Sequence, residues 1–221
     1  MDKNKKFVIT VNRELGSGGR TVGRKLAERL GVKYFDKALI EGLTKEFNLT
    51  VEEIERIKAQ KSSWWNEFNM YYKKRYDVLL PLETETVLTT ASMIGTEQRI
   101  LQDLASHESC VVAGRSSFLV FREWPNHLNI FIQAPLEKRI ERIMRKQQIS
   151  REETIATIEK VDKARETYIK KFVEINPELQ SSLQNVSRYD TRNYDLVINM
   201  DGLSEDEAVD IIMQYFERCN K

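Results

Sequence analysis

The chain has 221 residues, 41% of them apolar, enough to bury one sizeable core. Its 35 Lys and Arg nearly cancel its 34 Asp and Glu, for a formal net charge of +1, so a broad electrostatic footprint for nucleic acid is not expected. No apolar run approaches the ~18 residues of a membrane span, and the charged start MDKNKK lacks a signal peptide's apolar region, so a cytoplasmic protein off the membrane is the default.

The first predicted element is a buried strand over the apolar, β-branched run Phe7, Val8, Ile9 and Val11. A glycine-rich turn follows, Gly16-Ser17-Gly18-Gly19-Arg20-Thr21, and then a helix with Val22, Leu26 and Leu30 on one face and Gly31 at its end. Strand, glycine turn and helix in that order make a phosphate cradle, because glycines expose backbone N–H groups and the positive end of the helix dipole faces the anion. Thr21 is placed to offer its hydroxyl to a magnesium ion. The spacing departs from the P-loop pattern G-x-x-x-x-G-K-[ST], since Arg20 stands in the lysine position when the count runs back from Thr21. A glycine-rich turn that binds nothing is the plainer alternative.

Val32 to Asp36 reads as a short strand ending in an acid, and Asp36 opens a helix through Leu39, Ile40 and Leu43. A carboxylate at a strand's carboxyl end lies where open α/β sheets bind ligands. Thr50, with Glu53 three residues on, caps a short amphipathic helix. The aromatic segment that follows (Trp64, Trp65, Phe68, Tyr71, Tyr72, Tyr76) reads as packing or a homodimer surface rather than a base-stacking platform. A structural helix is expected from about Glu83 to Ser106.

Ser109 to Arg115 is a second buried strand whose arginine would reach the ligand crevice of a doubly wound sheet, suited to bidentate phosphate capture. Cys110 within it reads as a buried thiol. Cys219 is far away and no C-x-x-C spacing occurs, which argues against zinc or a disulfide framework. His127 to Ile132 is another strand, closed by Ala134-Pro135. The next helix, Leu136 to Gln148, carries Arg139, Arg142 and Arg145 on one side. Ser150, with Glu153 three residues on, begins a second charged helix that holds Lys163, Arg165 and Lys170. Two charged helices with little apolar area suggest a lid that opens easily. A polar loop from Asn176 to Asn193, a last strand from Tyr194 to Asn199 and a closing helix capped by Ser204 complete the chain. Five strands alternating with helices predict an α/β fold, a five-stranded, mostly parallel sheet with helices on both faces.

Taken together, ITVNRELGSGGRTVGRKLAERLG, KYFDKALIE, CVVAGRSSFLV, LNIFIQAPLEKRIERIMR, VDKARETYIKKF and YDLVIN resemble the P-loop nucleoside monophosphate kinases, most closely the cytidylate kinase-like family. The resemblance spans nearly the whole chain and is most specific from Val111 to Arg142. It implies one P-loop-type domain over residues 1–221, with a core at 5–49, 107–145 and 190–219, a helical acceptor-side insertion at about 50–106 and a lid at about 146–189. It further implies that Gly16, Ser17, Gly18, Gly19, Arg20 and Thr21 hold the phosphates of ATP with Mg2+ at Thr21. Asp36, Arg115 and Ser116 would then face a small-molecule acceptor such as CMP or dCMP. Arg20, Arg139, Arg142 and Arg165 would surround the transferring group. Three departures accompany it. Gly19 stands where the family has lysine, Ser116 where it has aspartate, and Ile158-Glu159 where it has an acidic-basic pair. Two further readings stand beside a nucleotide kinase, namely a kinase of a non-nucleotide small molecule and a nucleotide-binding regulator that transfers no phosphate.

Overall fold

The computed structural model describes residues 2, 4–36, 40, 91–114, 116–182 and 187–219. Arg115, the aromatic segment from Trp64 to Tyr76, the helix expected from Thr50 and most of the acceptor-side insertion lie outside the described residues. The homodimer expectation, which rests on the aromatic segment, lies there too.

Five strands form one parallel sheet in the order β2-β3-β1-β4-β5. They are β1 (Val8–Arg13), β2 (Lys33–Asp36), β3 (Cys110–Ala113), β4 (His127–Gln133) and β5 (Leu196–Asn199). All six residues of β1 are buried, as a central strand covered on both faces requires. Its side chains alternate between two cores. Val8 joins Phe35, Leu104, Phe118 and Phe172 on one face, while Ile9 and Val11 join Val22, Leu26 and Ile212 on the other. The first face is covered by α2 (Ala91–His107), α3 (Ser117–Val120) and the second half of α5 (Arg151–Glu174). The other is covered by α1 (Gly19–Leu30) and α7 (Glu205–Arg218). Two further helices among the described residues are α4 (Leu136–Gln147) and the short α6 (Pro177–Ser182), with a 3₁₀ turn at Thr191–Asn193. Among the described residues, no helix is long and apolar enough to cross a membrane.

Local chemistry sets the helix ends. Gly18 caps α1 in the left-handed region (φ 91°), and Gly31 closes it at φ 66°, its amide reaching the carbonyls of Ala27 and Glu28. Ser150–Glu153 and Ser204–Glu207 form capping boxes at the starts of α5 and α7, the first as the sequence predicts. One expectation is corrected. The α4–α5 pair does not have little apolar area, because Ile140, Ile143 and Ile158 form a buried layer between the helices. Beyond it Tyr168, Ile169 and Phe172 anchor the end of α5 in the main core. The charged residues that suggested an open pair cover that layer rather than replace it.

A polar network crosses β1, β4 and β5 inside the sheet. The Thr10 hydroxyl donates to Asn129 Oδ1 at 2.6 Å and sits 2.8 Å from His127 Nε2, and the Asn129 amide donates to the Asp195 carboxylate at 2.7 Å. Burial pushes the His127 imidazole down to about 4, against the opposing pull of the Asp195 charge. A histidine held neutral in the fold stabilises fully above its unfolded value near 6.5, and that contribution is lost as pH falls toward 4. Urea denaturation at pH 7 and pH 4.5 should therefore show a loss of up to about 3 kcal/mol, which His127→Asn flattens.

Candidate active site

The carboxyl edge of the sheet gathers most of the residues singled out in the sequence. After Arg13, the last residue of β1, the chain turns through Glu14–Gly18 into α1. Gly16 takes φ 82°, and a Cβ there would lie 2.9 Å from the Arg139 carbonyl oxygen and 3.0 Å from Ile143 Cδ1. The turn is thus pressed against α4, and only a glycine fits. Ser17 is buried, its hydroxyl donating to the Glu14 carbonyl at 3.0 Å. Gly18 lies under the Arg142 guanidinium, whose atoms would be 3.1–3.3 Å from a Cβ on Gly18. Gly18, the N-cap of α1, offers no side chain, the Ser17 hydroxyl accepts from the Gly19 amide at 3.4 Å, and no acid stands in the first turn, in which Gly19, Arg20 and Thr21 are the opening residues.

Three arginines from α4 and α5 address the turn. Arg139 donates from Nε to the Leu15 carbonyl at 2.7 Å, from Nη1 to Glu14 Oε1 at 3.2 Å, and from Nη2 to Asp162. Arg142 pairs with Glu205 at the start of α7. Arg165 donates to the Arg13 carbonyl at 3.0 Å and lies 3.7 Å from Asp162. Arg139 and Arg165 are buried to 6% and 4% exposure, so they form the wall of the turn rather than an outlying fringe. Arg20 turns the other way, its Nε and Nη2 lying 3.0 and 2.9 Å from Asp36 Oδ2 at the end of β2. Asp36 is itself buried and in register with Ala113 of β3. Ser116 is buried at the N-cap of α3, its carbonyl accepting from the amides of Leu119 and Val120.

Some members were not singled out from the sequence. Arg188 is 3% exposed; it donates to the Arg13 carbonyl and lies 3.6 Å from Asp162. Its guanidinium also sits over the rings of Phe131 and Tyr189. Asp162 thereby holds Arg139, Arg165 and Arg188 together. Glu14 bridges to β4 by accepting the Ala134 amide at 3.1 Å. Near the mouth, burial and then the charge of Arg142 push the Lys146 ammonium below its ordinary value, with Arg145 and Arg20 adding to the effect. Such crowding of cations at the positive end of a helix favours an anion between them.

The model of the cytidylate kinase-like family matches residues 8–202. A cytidylate kinase of Methanopyrus kandleri is 26% identical over 206 residues, covering 93% of this chain and 90% of that one. A cytidylate kinase of Rhodopirellula baltica is 20% identical over 228 residues, covering 96% and 93%. The fold is shared with the crystal structure of an uncharacterized protein from Eubacterium ventriosum, at TM-score 0.67 and 20% identity, covering 96% of this chain and 99% of that one. With that match spanning most of its length, the chain belongs to the cytidylate kinase-like family.

Proposed function

We propose that this protein is an ATP-dependent phosphotransferase of the nucleoside monophosphate kinase type, acting on CMP, dCMP or a closely related small acceptor. The convergence of Arg139, Arg142 and Arg165 from two helices on the turn between Arg13 and Gly18 is the observation that carries this reading. Phosphoryl transfer asks a protein chiefly for positioning and for positive charge around the moving group. In this reading the residues from Gly16 to Thr21 hold the triphosphate at the start of α1. Thr21 offers its hydroxyl to magnesium, which when bound neutralises charge on the phosphate oxygens. Among the described residues no group of three or more His, Cys, Asp or Glu could hold a metal.

Asp36 and Ser116, with Arg115 next to Ser116 in sequence, are proposed to face the acceptor. Arg20 links the two halves of the site through its pair with Asp36. Closure of the segment at about 146–189 would exclude water. A panel of nucleoside monophosphates, read by ADP release, tests the proposal, with CMP or dCMP expected to turn over fastest. Turnover with none of them would overturn it and favour a non-nucleotide acceptor, a reading that the buried Ser116, in place of the family's aspartate, also favours. ATP binding by calorimetry without ADP release under any acceptor would instead mark a regulator. Arg20→Ala is expected to lower kcat/KM by about 10²-fold, the order of effect seen when one preorganised electrostatic group is removed.

A further inference from the structure

Gly19 opens α1 in a place that admits no side chain. A Cβ there would stand 2.7 Å from Arg13 Cβ, 3.1 Å from Ile132 Cβ and 3.2 Å from Arg13 Cδ. Arg13 and Ile132 pair across β1 and β4, so their Cβ atoms cannot move aside without shifting the centre of the sheet. A lysine at position 19 is therefore excluded while Arg13 is present, and the Arg13 stem fills the space beside the first turn of the helix.

Counted from Gly18 as the second glycine of G-x-x-x-x-G-K-[ST], the opening glycine falls on Arg13 and the lysine on Gly19. The small residue and the cation have exchanged positions. We propose that Arg13 is the phosphate-binding cation of this kinase, delivered from the last residue of β1 instead of the first residue of α1. The proposal rests on the phosphotransferase reading for the identity of its ligand, a nucleoside di- or triphosphate.

The path of the side chain carries the proposal. Its stem runs along Gly19, and Nη1 arrives 3.8 Å from where a Cβ on Gly114 would stand, just past the end of β3. The guanidinium thus crosses from the start of α1 toward β3 at the carboxyl edge of the sheet, where doubly wound folds bind their ligands. Arg13 is only 7% exposed, and its carbonyl is held by both Arg165 and Arg188. Backbone and stem are therefore already ordered, and little side-chain freedom remains to be lost on binding. A planar guanidinium also meets phosphate oxygens bidentately, which an ammonium cannot do. Arg20, the other cation of the turn, directs its charge to Asp36 at the end of β2.

The experiment titrates the full chain with ADP and with ATP plus magnesium by calorimetry, in the parent, Arg13→Lys, Arg13→Met, Gly19→Lys and the Arg13→Gly/Gly19→Lys double variant. Lys and Met both supply an unbranched stem for the groove beside Gly19, so their difference isolates the charge. Arg13→Met is expected to weaken binding about 10- to 100-fold, and Arg13→Lys by less than about tenfold. Gly19→Lys alone should lower the unfolding temperature and bind poorly. The double variant relieves the closest contact, the 2.7 Å approach to Arg13 Cβ, and returns the lysine, so it should bind at least about tenfold tighter than Gly19→Lys alone, a non-additive rescue. Arg13→Met binding as tightly as the parent would overturn the proposal while leaving the kinase reading intact. So would a double variant that melts with the parent yet binds no better than Gly19→Lys. If Arg13→Met does not fold, the double variant alone decides. A parent that binds neither nucleotide overturns the reading beneath the proposal as well.

Discussion

Arg139→Ala is expected to unfold roughly 6–20 °C below the parent and to lose nearly all kinase activity at temperatures where it remains folded. Three groups depend on this one guanidinium, the Leu15 carbonyl and the carboxylates of Glu14 and Asp162. The side chain is 8% exposed, so water cannot take its place. Removing one partner of a buried, hydrogen-bonded ion pair costs about 3–5 kcal/mol. Here Asp162 keeps Arg165 and Arg188, so the loss falls mainly on Glu14, which among the described residues keeps only the Ala134 amide, and on the Leu15 carbonyl. At roughly 2–4 °C per kcal/mol for a chain of this size, that gives the stated range. Activity falls for a separate reason. The turn at Leu15 and Gly16 is held against α4 by this residue, and a small displacement of the amides proposed to bind phosphate costs a large factor in rate. Calorimetric unfolding together with turnover at 15 °C checks both parts. A variant that melts with the parent would show that Glu14 and Asp162 are satisfied without Arg139.

Gly16→Ala is the second large effect, expected to cost about 2–6 kcal/mol and to abolish tight nucleotide binding. The backbone there sits at φ 82°, a conformation that costs an L-residue about 1–3 kcal/mol. The added methyl would also lie 2.9 Å from a backbone oxygen and 3.0 Å from Arg139 Cβ, which adds an overpacking cost of about 1–3 kcal/mol. The turn has to move away from α4 to relieve the clash, and its amides move with it. Gly31→Ala is the matched control. Its φ is 66°, but nothing lies within 4 Å of the new methyl, so only the backbone cost of about 1 kcal/mol applies. Chemical denaturation of the two variants, with ADP titrations alongside, separates the terms. Equal losses at both positions would show that conformation alone matters and that α4 yields.

Much of the architecture was legible in the chain because local rules and burial agreed. Val8, Ile9 and Val11 read as a strand covered on both faces, and the helix-covered sheet requires that pattern. The Ser150–Glu153 and Ser204–Glu207 boxes need only three-residue spacing, so those helix starts could be read directly. The α4–α5 pair misled because the charges of Arg139, Asp162 and Arg165 look like a solvated surface in one dimension. In three dimensions they are inside, paired with one another and with the turn. Arg188 and Arg192 show the same blindness within one short polar loop. Side chain Arg188 is 4% exposed and joins the arginine wall, whereas Arg192 is 88% exposed and pairs with its neighbour Asp190. No spacing separates the two.

From residue order alone follow the strand–turn–helix start, the alternation that makes a parallel sheet, and the helix caps, because each depends on neighbours a few positions apart. Only the tertiary structure decided which cation meets which carboxylate, and that the Arg13 stem fills the space a residue at 19 would need. Those outcomes depend on β1, β4, α4 and α5 arriving at one edge of the sheet, with separations of more than a hundred residues closed by burial rather than by local geometry.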